Sequence, residues 1–140
     1  MKEGAQVTNH ARILMKQGKW EEATKDLKRV SELDPTPYNF VELGVAYRRA
    51  GMLELAIDAL SSAIERDGGK HAQALMHRCL ARAQSGALEL AFDDCDISAK
   101  VTPNVKEALA SRGLVRMALG HSTEALVDFE GALSVCPGRY

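Results

Sequence analysis

Apolar residues recur along the chain with the three- and four-residue spacing of amphipathic helices. The clearest run spans positions 40 to 63, with apolar or small residues at Phe40, Leu43, Gly44, Tyr47, Leu55, Ala56, Leu60 and Ala63. Positions i, i+3, i+4 and i+7 share one side of a helix, so each half of this run forms one apolar face. The pattern predicts two amphipathic helices joined by a short turn near Gly51.

A repeat with a period of about 34 residues organises the whole chain. Four glycines mark it: Gly18, Gly51, Gly86 and Gly120. Five residues after each glycine stands an alanine, and four residues after each alanine stands a larger residue. The alanines are Ala23, Ala56, Ala91 and Ala125, and the larger residues are Leu27, Leu60, Cys95 and Phe129.

Turn-forming residues divide the chain into four repeat units of about 4–36, 37–71, 72–105 and 106–139, numbered repeats 1 to 4. Pro35, Gly68-Gly69, Pro103 and Pro137 close these units. Within a unit, the glycine can take the positive φ that ends the first helix. Thr36-Pro37 is typical of a helix start, with threonine as N-cap and proline at the first helical position. The sequence therefore predicts one all-α domain over 1–140, made of eight helices in four antiparallel pairs without a C-terminal capping helix.

Small residues recur where the first helix of each unit meets the second: Ala11, Gly44, Cys79 and Gly113. Glycine inside a helix costs about 1 kcal/mol relative to alanine. We therefore expect Gly44 and Gly113 to allow a close approach of the two helices.

Composition and charge exclude several classes of protein. The 140 residues are 46% hydrophobic and 26% charged, which is typical of a globular domain rather than a disordered chain. A formal net charge of -1 argues against binding to nucleic acid or to an anionic membrane. No apolar run approaches the roughly 20 residues of a membrane span, and the N-terminal stretch lacks the apolar core of a signal peptide. We expect a soluble, cytoplasmic protein.

The cysteines and histidines predict neither a disulfide nor a metal site. Cys79, Cys95 and Cys136 are odd in number, lie far apart and form no C-x-x-C pair, which favours a reducing compartment. His77 and Cys79 are expected on different sides of one helix, so they should not join His71 on a metal. A Gly-rich phosphate loop and a nucleophile motif are also missing from the sequence. We expect no enzymatic activity and no cofactor.

These features resemble the tetratricopeptide repeat family, which builds helix–turn–helix units of about 34 residues. The second unit carries the resemblance best, at Leu43-Gly44, Tyr47, Gly51, Ala56, Leu60 and Ala63. The resemblance implies a right-handed superhelix of four antiparallel helix pairs, whose first helices line a concave groove. Arg82 and Arg116 depart from the family by replacing the usual aromatic residue of the first helix, and we expect weaker packing there.

The resemblance also implies which residues face the groove. A basic cluster is expected at Arg12, Lys16, Arg48 and Arg49, and an apolar stripe, with His77 beside it, at Val41, Val45, Met76, Leu80, Leu114 and Met117. The outward faces of the second helices are expected to be acidic, with Asp94 and Asp128 among the exposed carboxylates. This distribution predicts a protein-binding module or adaptor for a peptide or helix with apolar anchors and acidic flanks. Two simpler interpretations stay open: part of the stripe belongs to the core or is covered by residues absent from this chain, and the basic cluster is a solvated helix face.

One specialised binding mode of the family does not fit the sequence. The domains that clamp chaperone tails present lysine, asparagine and arginine at positions where this chain has Thr8, Arg12, Glu42, Gln73 and His77. Glu42 would repel a terminal carboxylate. A chaperone-tail clamp is therefore not predicted.

Self-association is the alternative function. The last helix is expected to direct Leu126 and Leu133 toward the place where a fifth unit would begin. Leaving such side chains in water forgoes roughly 1.5–3 kcal/mol of burial for each. We expect a second copy, as in a homodimer, or further sequence to cover them.

Overall fold

The computed structural model describes residues 2–135 and contains eight α-helices in that range. They are α1 (Lys2–Lys16), α2 (Trp20–Leu33), α3 (Pro37–Arg49), α4 (Leu53–Arg66), α5 (Ala72–Gln84), α6 (Leu88–Val101), α7 (Lys106–Ala118) and α8 (Ser122–Ser134). No strand occurs within residues 2–135, so the predicted all-α class and helix pairs are confirmed. The predictions for Cys136, Pro137 and the end of the fourth unit lie outside the described residues.

The four repeat glycines end the first helices as predicted. Their φ angles are +75° at Gly18, +83° at Gly51, +93° at Gly86 and +86° at Gly120. The residue after each glycine donates its N–H to a carbonyl five positions earlier, as from Met52 to Tyr47 at 2.8 Å. This hydrogen bond defines the Schellman motif, in which a glycine with positive φ satisfies the last carbonyls of a helix.

Side chains cap the N-termini of two first helices. The Asn39 N–H donates to the Thr36 hydroxyl oxygen at 3.2 Å, and Pro37 occupies the first helical position. The predicted start of α3 is therefore confirmed. In α5, the Ala74 N–H donates to Nδ1 of His71 at 3.1 Å, so this histidine acts as an N-cap.

Glycine brings the helices of two pairs close together. A Cβ atom on Gly44 would lie 2.5 Å from Cγ of Leu60, and one on Gly113 would lie 2.7 Å from Cε1 of Phe129. Both distances are too short for real side-chain carbons. The predicted close approach is confirmed, and the two contacts join residues 16 positions apart in sequence.

The chain divides into two compact units, residues 1–69 and residues 70–140. In unit 1, α1 packs on α2, α3 packs on α4, and α2 also contacts α3. In unit 2 the same arrangement joins α5 with α6, α7 with α8, and α6 with α7. The core of unit 1 includes Leu27 and Leu60, and that of unit 2 includes Leu75 and Val115.

The prediction that the cysteines form no disulfide is wrong. Cys79 of α5 and Cys95 of α6 are bonded, with their Cα atoms 5.5 Å apart. The two cysteines are 16 positions apart in sequence, the same spacing as between Gly44 and Leu60, which also face each other. The helix hairpin therefore brings the two cysteines together, although they are distant in sequence.

Two aspartates predicted on outward faces are buried. Asp94 and Asp128 are each 2% exposed. Nε and Nη2 of Arg78 donate to the two carboxylate oxygens of Asp94 at 2.8 and 2.7 Å, and Nη1 of Arg82 donates to the same carboxylate at 2.9 Å. Buried carboxylates persist where such charge-assisted hydrogen bonds replace water.

Repeat 4 builds the same arrangement. Arg112 donates to Asp128 from Nη2 at 2.8 Å, and Arg116 donates to it from Nη1 at 3.0 Å. Arg112 also reaches Asp96 of α6 at 3.0 Å. Because of these bonds, the arginines that replace the family's aromatic residue hold buried carboxylates, and Arg112 ties α6, α7 and α8 together.

Candidate partner-binding surfaces

In unit 1, the predicted basic residues lie on the first helix of each pair. Arg12 and Lys16 are exposed one turn apart on α1, and Arg48 and Arg49 form the last turn of α3. Arg49 is exposed, with its guanidinium carbon 5.4 Å from the centroid of the Trp20 ring. The side chain of Arg48 is half-buried; this burial lowers its pKa, and the charge of Arg49 lowers it further.

Two side chains of α3 modify this basic surface. The Tyr38 hydroxyl donates to a carboxylate oxygen of Glu42 at 2.9 Å. This hydrogen bond is the main reason that the pKa of Tyr38 is raised, while nearby Arg12 has a smaller, opposite effect. Tyr38 therefore presents an exposed aromatic ring beside Arg12, with Glu42 as its hydrogen-bond acceptor.

The apolar stripe predicted for α3 is largely absent from the surface. Val41 is only 3% exposed, so its predicted place on an open face is wrong, and Val45 is half-buried. The reason is that α3 packs against both α2 and α4, which covers a wider arc than one partner helix would cover. For Val41, the interpretation as core is correct.

In unit 2, a pocket of about 470 Å³ opens between the first helices, α5 and α7. It is lined by Ala72, Gln73, Met76, His77, Ser98, Thr102, Val105, Glu107 and Ala108. The structure thus brings the predicted residues Met76 and His77 to one concave site. This volume is within the range of ligand pockets.

The apolar character continues along the same two helices beyond the pocket. Leu80 follows Met76 by one turn of α5 and is half-buried. On α7, Leu114 lies two turns after Glu107, and Met117 lies one turn further. Leu114 and Met117 are 57% and 48% exposed, so these two members of the predicted stripe are on the surface.

Sequence reasoning missed the part of the pocket wall that does not come from first helices. Val105 belongs to the loop before α7, and Ser98 and Thr102 come from the end of α6. The Ser98 hydroxyl donates to the Ala72 carbonyl at 2.8 Å, and the Thr102 hydroxyl donates to the Ser98 carbonyl at 2.9 Å. Because these bonds satisfy the hydroxyls, this wall offers a ligand chiefly apolar contacts.

Unit 1 has a pocket at the equivalent positions, but with different chemistry. It measures about 450 Å³ and is lined by Gly4, Ala5, Thr8, Val30, Leu33, Asp34 and Asn39. Thr8 and Asn39 stand where unit 2 has Met76 and Ala108, and the Asn39 amide donates to the Asp34 carbonyl at 2.8 Å. The polar pocket therefore lies in the unit with the basic cluster, and the apolar pocket lies in the other unit.

Among residues 2–135, no group of three His, Cys, Asp or Glu side chains is arranged to hold a metal ion. Cys79 is in the disulfide, and His71 caps α5. None of the helices in the described part of the chain is long and apolar enough to cross a membrane.

Comparison with known proteins identifies the family. The tetratricopeptide repeat pattern matches residues 8–70 and 41–103, which together span more than half of the chain. The chain belongs to the tetratricopeptide repeat family. No curated protein sequence matches the chain.

Solved structures share this tetratricopeptide repeat fold. The crystal structure of MamA is 25% identical, covering 94% of this chain and 77% of its own, with a TM-score of 0.81. The second tetratricopeptide domain of human RPAP3, solved with an HSP70 peptide, is 22% identical over 82% of this chain and 96% of its own, with a TM-score of 0.74. YrrB, described as having an unusual peptide-binding site, is 16% identical over 97% of this chain and 70% of its own, with a TM-score of 0.78.

Proposed function

We propose that the chain is a protein-interaction module or adaptor that binds a peptide or helix through its first helices. The observation that carries this proposal is the pocket of unit 2, with Leu114 and Met117 exposed on α7. Exposed apolar surface beside a concave site is typical of a binding surface. The peptide-bound RPAP3 domain and the peptide-binding site of YrrB support a peptide-like partner on the same fold.

The charge of unit 1 indicates the chemistry of the partner. Arg12, Lys16 and Arg49 are exposed cations on first helices. The basic surface of unit 1 would complement Asp or Glu side chains of a partner segment, and the pocket of unit 2 would complement apolar side chains. Flexible thioethers such as those of Met76 and Met117 adapt to anchors of different shape.

Reversing charge on α1 should weaken binding of such a segment. Peptides are first selected from a displayed random library on the wild-type chain, and their affinity is then measured by fluorescence anisotropy. We expect Arg12→Glu/Lys16→Glu to raise Kd by at least about tenfold, because two attractive contacts become repulsive. Raising the salt concentration should also weaken binding to the wild type.

A matched control separates local charge from net charge. Lys25→Glu/Lys28→Glu makes the same change in net charge on exposed positions of α2. It should leave Kd nearly unchanged. Equal losses in the two variants, or unaltered affinity in Arg12→Glu/Lys16→Glu, would contradict the proposed surface.

A self-associating scaffold is the second candidate, favoured by the exposed side of α8. Leu126 and Leu133 are 56% and 74% exposed. In the repeat register they correspond to Phe92 and Ala99 of α6, the helix that packs against α7. Their side of α8 is therefore chemically suited to receive another helix.

Sedimentation of the full chain over a range of concentrations tests this second candidate. If a second copy covers this side of α8, the wild type should associate with increasing concentration. Leu126→Lys/Leu133→Lys should remain folded and monomeric, because both side chains are on the surface. A wild type that stays monomeric at the highest concentration excludes self-association through α8.

A further inference from the structure

Repeat 3 differs from its neighbours at the contact between its two helices. Repeat 2 fills this contact with Gly44 and Leu60, and repeat 4 fills it with Gly113 and Phe129. Repeat 3 has a cysteine at both positions, and both are fully buried. Since a glycine and a leucine suffice in repeat 2, the helix-pair geometry alone does not require two cysteines.

The disulfide lies inside a packed cluster. Ala91 and Val115 are buried around Cys79 and Cys95, with partly buried Phe92 and Leu119 against them. Two bonded sulfurs lie closer together than two non-bonded sulfurs can. Reduction must therefore push the sulfurs apart in an interior that has few voids, so the side chains or the helices have to move.

Such a movement would act on α5, the helix that supplies four of the nine residues lining the unit 2 pocket. On α5, Leu80 directly follows Cys79, and Met76 lies one turn before Cys79. Arg78, the residue before Cys79, forms the bidentate ion pair with Asp94, the residue before Cys95. The disulfide and this ion pair thus join the same stretches of α5 and α6.

We propose that Cys79 and Cys95 form a reversible thiol–disulfide site that, when oxidised, stabilises unit 2 and fixes the binding face of α5. Control of peptide binding by this site rests on the proposed function, whereas the thiol–disulfide exchange and the change in stability do not. A disulfide stabilises by restricting the unfolded chain, and this one joins residues 16 positions apart.

The oxidant in this scheme is a small-molecule disulfide such as glutathione disulfide. The thiolate of one cysteine attacks it, which forms a mixed disulfide and releases one glutathione thiol. The second cysteine then attacks the protein sulfur of the mixed disulfide and releases the second glutathione. The protein loses two electrons and two protons, and glutathione disulfide gains both. Because Cys79 and Cys95 are buried, exchange takes place during local opening of the α5–α6 pair.

The test uses the full chain with Cys136→Ser, so that only Cys79 and Cys95 can react. The protein is equilibrated with glutathione disulfide or with excess dithiothreitol, then denatured and alkylated, and its mass is measured. We expect no alkylation after oxidation and two alkylated cysteines after reduction. The oxidised form should melt about 10 °C higher, and its amides in residues 72–101 should exchange hydrogen more slowly.

A matched variant makes the result specific to the cysteine pair. Cys79→Gly/Cys95→Leu, made in the same Cys136→Ser chain, copies the contact of repeat 2 and should melt at one temperature in both buffers. If the two thiols stay fully alkylatable after glutathione disulfide, the proposal is overturned. Equal melting temperatures and exchange rates of the oxidised and reduced forms overturn it as well. Since no peptide is involved, failure of the proposed binding function would not alter these results.

Discussion

Replacing Asp94 with alanine should lower the free energy of unfolding by about 3–5 kcal/mol, because it removes the carboxylate that two largely buried arginines share. Arg78 and Arg82 would keep their charges in unit 2 but lose this hydrogen-bond acceptor. Urea denaturation followed by circular dichroism at 222 nm measures the loss. Asp93→Ala is the matched control, since Asp93 is the exposed neighbour on the same helix, and its effect should stay within about 0.5 kcal/mol.

Repeat 2 suggests how the loss could be recovered. Its equivalent positions are Leu43, Tyr47 and Ala59, which meet without a buried charge. The triple variant Arg78→Leu/Arg82→Tyr/Asp94→Ala should therefore regain most of the stability that Asp94→Ala loses, because well-packed apolar groups can replace a buried ion pair at little cost. If Asp93→Ala and Asp94→Ala cost the same, the buried ion pair does not stabilise unit 2 as described.

Gly44→Ala should destabilise unit 1 by about 1–3 kcal/mol, even though alanine favours helix more than glycine does. The added Cβ would lie 2.5 Å from Cγ of Leu60, so the pair would be overpacked. The cost should shrink when Leu60 is truncated as well, and a double-mutant cycle in urea denaturation measures this coupling.

Gly131→Ala is the control for Gly44→Ala. Gly131 is also inside a helix, α8, but its added Cβ would meet only Cδ1 of Leu109 at 3.4 Å, an ordinary contact. This variant should gain about 0.5–1 kcal/mol from helix propensity. Stabilisation in both variants would show that helix propensity, not packing against Leu60, governs Gly44.

Features set by local conformation could be predicted from the sequence. Gly51 and Gly86 have the positive φ that the repeat implied, and Thr36 caps α3 as its place before Pro37 suggested. Gly44 meets Leu60 because the helix hairpin repeats the same contact in repeats 2, 3 and 4. These predictions need only turn chemistry and the helical period.

Features that depend on what packs beside a helix could not be predicted in the same way. The family resemblance places Asp94 on the outward face of α6, where aspartate is ordinarily found, yet Asp94 is buried next to Cys95. The missed signal was the identical spacing of two arginines and an aspartate in repeats 3 and 4. Val41 is buried because α3 has two neighbouring helices, which the periodicity of α3 alone does not show.

The central claim, that partners bind the first helices, is tested most directly by the methionine methyl groups. Met76 and Met117 lie on α5 and α7, whereas Met52 lies in the turn between α3 and α4 and serves as the internal reference. The chain is labelled with carbon-13 at its methionine methyls, and NMR spectra are recorded before and after a selected peptide is added to saturation. Our account predicts that the Met76 and Met117 resonances shift while that of Met52 does not. Unshifted Met76 and Met117 signals in the saturated complex would contradict it.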